Sequence, residues 1–226
     1  IEVECQKSLG RIRSLQGVNN GPIPWNEAHN LSTYYMDIGV NYVRLHDLHG
    51  PIGDWGSEWV GAVDIHYIFP DFEADPTQPE NYNFTRTDLH IKAIKAIGAD
   101  IIYRLGYSWG TINDPPANYT QWASICLHII QHYNDGWANG FHYNITYWEI
   151  WNEPDIPEFW TGTPQQYFDL YNVTANAIKS YAPNLKVGGP CLAYKLDFLE
   201  GFLNYCKSYS VPLDFVSWHV YGQNPY

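Results

Sequence analysis

Two rhythms of apolar and polar positions alternate along the 226-residue chain. Short runs of apolar, β-branched and aromatic residues, each bounded by glycine, proline or polar turn residues, predict strands over 15–20, 41–47, 100–106, 145–152, 186–190 and 213–221. Between them apolar residues recur at helical spacing. Tyr34, Tyr35 and Ile38 precede Gly39, and Leu89, Ile91, Ile94 and Ile97 precede Gly98, so both helices end on a plausible glycine cap. Trp122, Ile125, Leu127, Ile129 and Ile130 mark a helix over 118–133. Thr163-Pro164 opens another, carried by apolar residues from Tyr167 through Ile178 to Tyr181. Phe198, Leu199, Phe202, Leu203 and Tyr205 predict the buried side of a helix over 197–209.

Strand followed by helix five times, then a final strand with no composition break, predicts one α/β domain built on a parallel sheet with crossover helices. The interruption is 48–83, rich in glycine and proline (Gly50, Pro51, Gly53, Gly56, Pro70, Pro76, Pro79). It reads as a long insertion loop after the second strand, a length usually kept for function. Gly17-Val-Asn-Asn-Gly-Pro22 follows the first strand where a nucleotide-binding sheet would carry its glycine-rich phosphate turn. Polar residues at the ends of strands two, four and six instead suit a (β/α)8 TIM barrel, of which about six βα units are present and strands seven and eight are lacking. The chain is correspondingly shorter than the roughly 250 residues of a complete barrel.

Charge narrows the partners. Twelve Lys plus Arg against 24 Asp plus Glu give a net charge of −12, which repels nucleic acid and anionic membrane surfaces. No run of 18 apolar residues occurs, so no membrane-spanning helix is expected. Aromatic residues (17%) outnumber charged ones (16%), a balance suited to flat contacts with an uncharged ligand. Cys5, Cys126, Cys191 and Cys206 lack CxxC spacing, which argues against a zinc or redox site and leaves buried thiols and disulfides both open. Asn-x-Ser/Thr sequons at Asn30, Asn83, Asn118, Asn144 and Asn172 favour a secreted glycoprotein. Ile1 opens the chain without a charged and apolar leader.

The candidate chemistry centres on Tyr147-Trp-Glu-Ile-Trp-Asn-Glu-Pro154. Pro154 cannot donate to a sheet ladder, so the strand should stop near Glu153 and leave a carboxylate at a strand end, where ligands sit in parallel α/β folds. A solvated glutamate in a strand-to-helix turn is the plain alternative. Asn152 weighs against it, because an amide beside a carboxylate offers a donor and an acceptor to a polyhydroxylated ligand. Glu149 reads as a strand-interior or salt-bridged carboxylate. If the strands converge, the mouth collects His46, Asp47, Trp109, Asn152, Glu153, Trp218, His219 and Tyr221. Such a set, without a cationic phosphate clamp, fits a carbohydrate: hydroxyls take directional hydrogen bonds and the sugar face stacks on an aromatic ring. His46 and His49 straddle a strand end without supporting carboxylates, so neither a metal nor another cofactor is expected.

Trp151-Asn-Glu-Pro154 and Trp218-His-Val-Tyr221 resemble the retaining glycoside hydrolases of the (β/α)8 clan that carries its acid/base as Asn-Glu-Pro. With Arg44-Leu-His-Asp47 and Gly17-Val-Asn-Asn-Gly-Pro22, the chain is most similar to family 39, which contains β-xylosidases and α-L-iduronidases. The likeness covers most of the chain. It implies that Glu153 is the general acid/base, that Asn152 binds the sugar 2-hydroxyl, that His219 and Tyr221 orient the second carboxylate or the ligand, and that His46 binds the far side of the sugar. A general acid near neutral pH needs a raised pKa.

The likeness also implies a nucleophilic Glu at the end of strand seven, and the chain stops at Tyr226 after strand six. Asp197 and Glu200 fall on a helix, Asp214 at the wrong end of strand six, and Asp47 has no precedent in that role. Three expectations follow: a longer polypeptide that supplies the nucleophile, closure of the open edges by a second copy or another chain, or a form that binds oligosaccharide without cleaving it.

Overall fold

Six parallel strands pair in chain order in the computed structural model, which describes residues 15–24, 30–47, 61–110 and 112–222: β1 (Gly17–Asn19), β2 (Tyr42–Leu45), β3 (Asp100–Leu105), β4 (Tyr147–Ile150), β5 (Lys186–Leu192) and β6 (Phe215–Trp218). Helices α1 (Ser32–Asp37), α2 (Ile65–Ile68), α3 (Thr85–Ala96), α4 (Tyr119–Asn134), α5 (Pro164–Tyr181) and α6 (Leu196–Tyr209) lie in the connections. Two helix starts follow their sequence signals. Asn118 accepts the N–H groups of Thr120 and Gln121 ahead of α4, and Thr163 and Gln166 form a reciprocal capping box on α5.

Alternation along the strands sorts their side chains between two surfaces. Val43, Leu45, Ile101, Tyr103, Leu105, Trp148, Ile150 and Val187 are buried in one cluster with Ile91, Ile94, Ile125, Ile129, Tyr133, Tyr167, Tyr171 and Ile178 of the helices. Trp148 packs on Tyr103 with ring centres 4.9 Å apart, and Tyr103 on Tyr133 at 5.8 Å. The opposite face is concave. Tyr42 of β2 touches Tyr147 of β4 at 6.0 Å, and Tyr147 touches Phe215 of β6 at 5.9 Å, although these strands are not neighbours. Contact between side chains of alternate strands is how a barrel interior is filled, and the sheet is a curled half-barrel. Gly188 on the intervening strand makes room: a Cβ there would come within 2.5 Å of the Phe215 ring.

Residues 48–60 of the expected insertion lie outside the described residues; 61–69 pack as core, and 70–83 run mostly as exposed or half-buried turns. Ala62, Val63, Ile65, Ile68 and Phe69 enter the main core, with α2 among them. Asp64, fully buried, accepts from Arg104 at the end of β3 at 2.7 Å and from the backbone N–H and hydroxyl of Ser108 at 2.9 and 2.7 Å. The segment is a fixed wall under the strand ends. β4 ends at Ile150 rather than beside Pro154, because Trp151 turns into the left-handed region with φ +73° and breaks the pleat. Leu203, expected on the buried side of α6, is 39% exposed, and Cys206 takes that face with Phe198 and Phe202. Cys126, Cys191 and Cys206 are buried free thiols, and Cys5 lies outside the described residues. No helix among the described residues is long and apolar enough to cross a membrane.

Candidate active site

Five non-glycine residues with positive φ stand at the C-terminal ends of the strands: Asn20 (+63°), Asp47 (+45°), Trp151 (+73°), Glu153 (+47°) and Cys191 (+51°). Each costs on the order of 1–3 kcal/mol and persists only where its surroundings fix it. Backbone bonds do so here. Trp151 donates to the Leu105 carbonyl at 2.7 Å, Glu153 to the Cys191 carbonyl at 3.0 Å, and Ile156 to the Glu153 carbonyl at 3.1 Å. The turn after β4 thereby carries the Glu153 carboxyl to the mouth.

Glu153 is 3% exposed. His219 Nδ1 and the Tyr221 hydroxyl, from the segment after β6, both meet its Oε1. Burial pushes this carboxyl upward, but the hydrogen bonds from His219 and Tyr221 outweigh it and hold Glu153 below the ordinary Glu value. That is the reverse of the raised pKa expected from the sequence. Trp148 and Trp151 give this carboxyl no apolar jacket, because both are buried in the main core: Trp151 packs on Trp122 of α4 at 5.3 Å and on Trp160 at 4.9 Å. A carboxyl-detected NMR titration of this chain should therefore give Glu153 a midpoint below the ordinary Glu value, and Tyr221→Phe should move it upward. Because the folded value is depressed, Glu153 contributes stability above the unfolded-state value, and that contribution is lost as pH falls through the folded one. A midpoint at or above the ordinary value would contradict the two-donor arrangement.

Beneath it runs a polar layer. Arg44 of β2 reaches across β3 to Glu149 of β4, with its Nη2 at 2.6 Å and its Nε at 2.7 Å from Oε2. Burial pushes the Glu149 carboxyl up, but Arg44 prevails and Glu149 lies below the usual range. It is the salt-bridged strand carboxylate expected. Arg44 Nη2 also donates to Asn152 Oδ1 at 2.8 Å and to Cys191 Sγ at 3.0 Å. Asn152 is fully buried, and its Nδ2 has no hydrogen-bond partner among the described residues. A buried donor without an acceptor is costly unless a ligand meets it.

The far wall holds His46, Asp47 and Trp109. His46 is buried, with Nε2 3.2 Å from Asp47 Oδ2, Nδ1 unpartnered among the described residues, and its ring 5.6 Å from Phe159. Burial lowers the His46 pKa, against a hydrogen bond to Asp47 that raises it. Burial likewise pushes the Asp47 carboxyl up, yet His46 and the Trp109 N–H at 3.0 Å bring it down to about 2. Trp109 is half exposed, edge-on to Phe159 at 5.7 Å.

A hollow of ≈ 610 Å³ joins these walls, lined by Arg44, His46, Asp47, Trp109, Glu153, Phe159, His219 and Tyr221, and extends down the concave face to Tyr42 and Ile102. The ends of the second, fourth and sixth strands meet around one cavity, as expected. Asn152, fully buried, is not among its lining residues. Trp218 is 60% exposed and does not line it. Phe159 and Arg44 were missed from the sequence as pocket residues. An aromatic in the turn after β4 is the same signal that singled out Trp109, whereas nothing local marks Arg44 as the floor.

The pocket carries carboxylate, imidazole, phenol and indole, the groups a sugar site needs. The chain is 32% identical over 201 residues to a β-xylosidase of Geobacillus stearothermophilus, an alignment covering 81% of this chain and 37% of that protein. A structure of a glucosidase from Croceicoccus marinus superposes with a TM-score of 0.78 at 32% identity, covering 96% of this chain and 46% of that one. A β-xylosidase from Caulobacter crescentus shares the fold, with a TM-score of 0.64 at 23% identity over 91% of this chain and 41% of that one. The chain thus spans less than half the length of these relatives. The sequence model described as glycosyl hydrolases family 39 matches residues 7–225, and the chain belongs to that family.

Proposed function

We propose that this chain forms the greater part of the active site of a retaining glycoside hydrolase acting on β-xyloside-like substrates, with Glu153 as general acid/base. The observation that carries this reading is the Glu153 carboxyl at the mouth of the half-barrel, gripped by His219 and Tyr221 and facing a sugar-sized hollow. The sugar class rests on the likeness to β-xylosidases.

In the first step a protonated Glu153 gives its proton to the leaving oxygen as the bond from C1 to that oxygen breaks, while a second carboxylate bonds to C1. In the next step Glu153, now ionised, takes a proton from water. Water's oxygen bonds to C1 and the glycosyl ester breaks. Asn152 Nδ2 donates to the 2-hydroxyl, Trp109 and Phe159 pack against the ring, and His46 Nδ1 meets a hydroxyl at the far side. The second carboxylate belongs to a segment beyond the six strands, about 5–5.5 Å from Glu153.

The depressed pKa of Glu153 suits the base step and opposes the acid step. A like charge nearby raises a carboxyl pKa. In this reading the nucleophile itself makes Glu153 an acid, and once the nucleophile is esterified the two donors return Glu153 to a base. Four of the five sequon asparagines, Asn30, Asn83, Asn118 and Asn144, are exposed, which supports secretion.

The test uses xylobiose and this sequence in a polypeptide that completes the barrel. Proton NMR should detect β-xylose as the first product, before mutarotation. First-formed α-xylose would overturn retention. Binding by calorimetry without release of reducing sugar would favour a carbohydrate-binding module instead.

A further inference from the structure

We propose that Cys191 is a positioning residue of this site: its thiol, seated on Arg44, acts with Glu153 to hold His219 in the tautomer that carries its proton on Nδ1, the nitrogen facing Glu153. The inference deepens the reading of Glu153 as acid/base and rests on it.

Cys191 Sγ lies 3.0 Å from Arg44 Nη2 and 3.2 Å from His219 Nε2. A guanidinium has only donors, so the sulfur accepts from Arg44 and its own hydrogen is left to point elsewhere. An ionised carboxylate is acceptor-only, so the nitrogen of His219 that meets Glu153 Oε1 carries a proton. In a neutral imidazole the other nitrogen is then an acceptor, and the group beside it is the Cys191 thiol. The chain of donors reads Arg44 to Cys191 to His219 to Glu153. Burial, and after it the charge of the Glu149 carboxylate beside the sulfur, push the thiol pKa well up, which keeps the hydrogen on sulfur.

The backbone holds the partners in register. Cys191 donates its N–H to the Ser217 hydroxyl at 3.1 Å and accepts the Glu153 N–H at 3.0 Å, while His219 donates its N–H to the Leu192 carbonyl at 2.7 Å. Side chain and main chain of Cys191 therefore touch opposite ends of the same contact. Alanine would retain the backbone bonds and remove only the thiol link. Serine keeps a hydroxyl able to accept from Arg44 and donate to His219, so it is the conservative replacement.

The experiment is long-range proton–nitrogen NMR on this chain labelled with ¹⁵N-histidine, as wild type, Cys191→Ser and Cys191→Ala, paired with steady-state kinetics of the same substitutions in a polypeptide that completes the barrel. Wild type and Cys191→Ser should show His219 protonated on Nδ1 alone. Cys191→Ala leaves only Glu153 to favour Nδ1 and should raise the share of the Nε2-protonated form, with the His46 and His132 signals unchanged as the check of folding. In the kinetics Cys191→Ala should lower kcat about 10–100-fold, the loss that follows removal of the partner behind a metal-bound imidazole. KM should stay within about twofold, and Cys191→Ser should recover most of the loss. An imidazolium in the wild type, an unchanged tautomer in Cys191→Ala, or an unchanged kcat beside an altered tautomer would each overturn the proposal. The tautomer is read without turnover, so failure of the hydrolase assignment and failure of this inference are separable.

Discussion

In a polypeptide that completes the barrel, Glu153→Gln should lower hydrolysis of an unactivated glycoside about 10²–10⁴-fold, the range a positioned general acid contributes, and leave binding nearly intact. The amide keeps the shape of the side chain but cannot give up a proton or take one. It also changes the contacts of the mouth. His219 Nδ1 and the Tyr221 hydroxyl, which both donate to Oε1, can still be accepted by the amide oxygen, so the local fold survives. An aryl glycoside with an acidic leaving group needs no proton to depart, so its first step should be nearly unaffected, and the glycosyl intermediate should accumulate because water is no longer deprotonated. Stopped-flow release of the aryl group should therefore show a burst. Equal rates for variant and wild type on the unactivated substrate would remove Glu153 from the mechanism.

The parts of this site legible in the sequence are those that depend on strand parity. Arg44, Glu149 and their neighbours could be placed on strands because β-branched and aromatic runs are bounded by turn residues. Once the strands are parallel, Asp47, Glu153 and His219 fall at the same edge. What escaped depends on tertiary contact. Arg44 and Glu149 are 105 residues apart and pair across an intervening strand, which no local pattern records. The end of β4 was misplaced because a tryptophan gives no hint of a positive φ, whereas Pro154 gives an obvious but later stop. Residues 61–83 read as a loop from their prolines, yet Val63, Ile65, Ile68 and Phe69 are buried only because the strand ends offer them a surface. The lowered pKa of Glu153 was hidden for a similar reason: its two donors arrive from residues 66 and 68 positions away.

The same tertiary logic makes Asp64 the position where substitution should cost the fold most. Arg104 and Asp64 are both fully buried and 2.7 Å apart, and the carboxylate also accepts the backbone N–H and hydroxyl of Ser108. Removing one partner of a buried pair strands the other charge away from water, at a cost of about 3–5 kcal/mol. Asp64→Ala should therefore lower the melting temperature of this chain by on the order of 10 °C, given about 2–4 °C per kcal/mol for a domain of this size. Arg104→Met with Asp64→Leu leaves no charge to strand, so the double variant should be more stable than Asp64→Ala despite carrying two changes. The site should feel the single change as well. Ser108 precedes Trp109, whose N–H is held by Asp47, so loss of the two Asp64 bonds to Ser108 loosens the aromatic wall of the hollow. Asp64→Ala is then expected to weaken binding of an oligosaccharide, measured by calorimetry well below the lowered melting temperature. A melting temperature within about 2 °C of wild type would mean that the pair is not the tie between the 61–64 segment and β3, since so small a shift corresponds to less than about 1 kcal/mol.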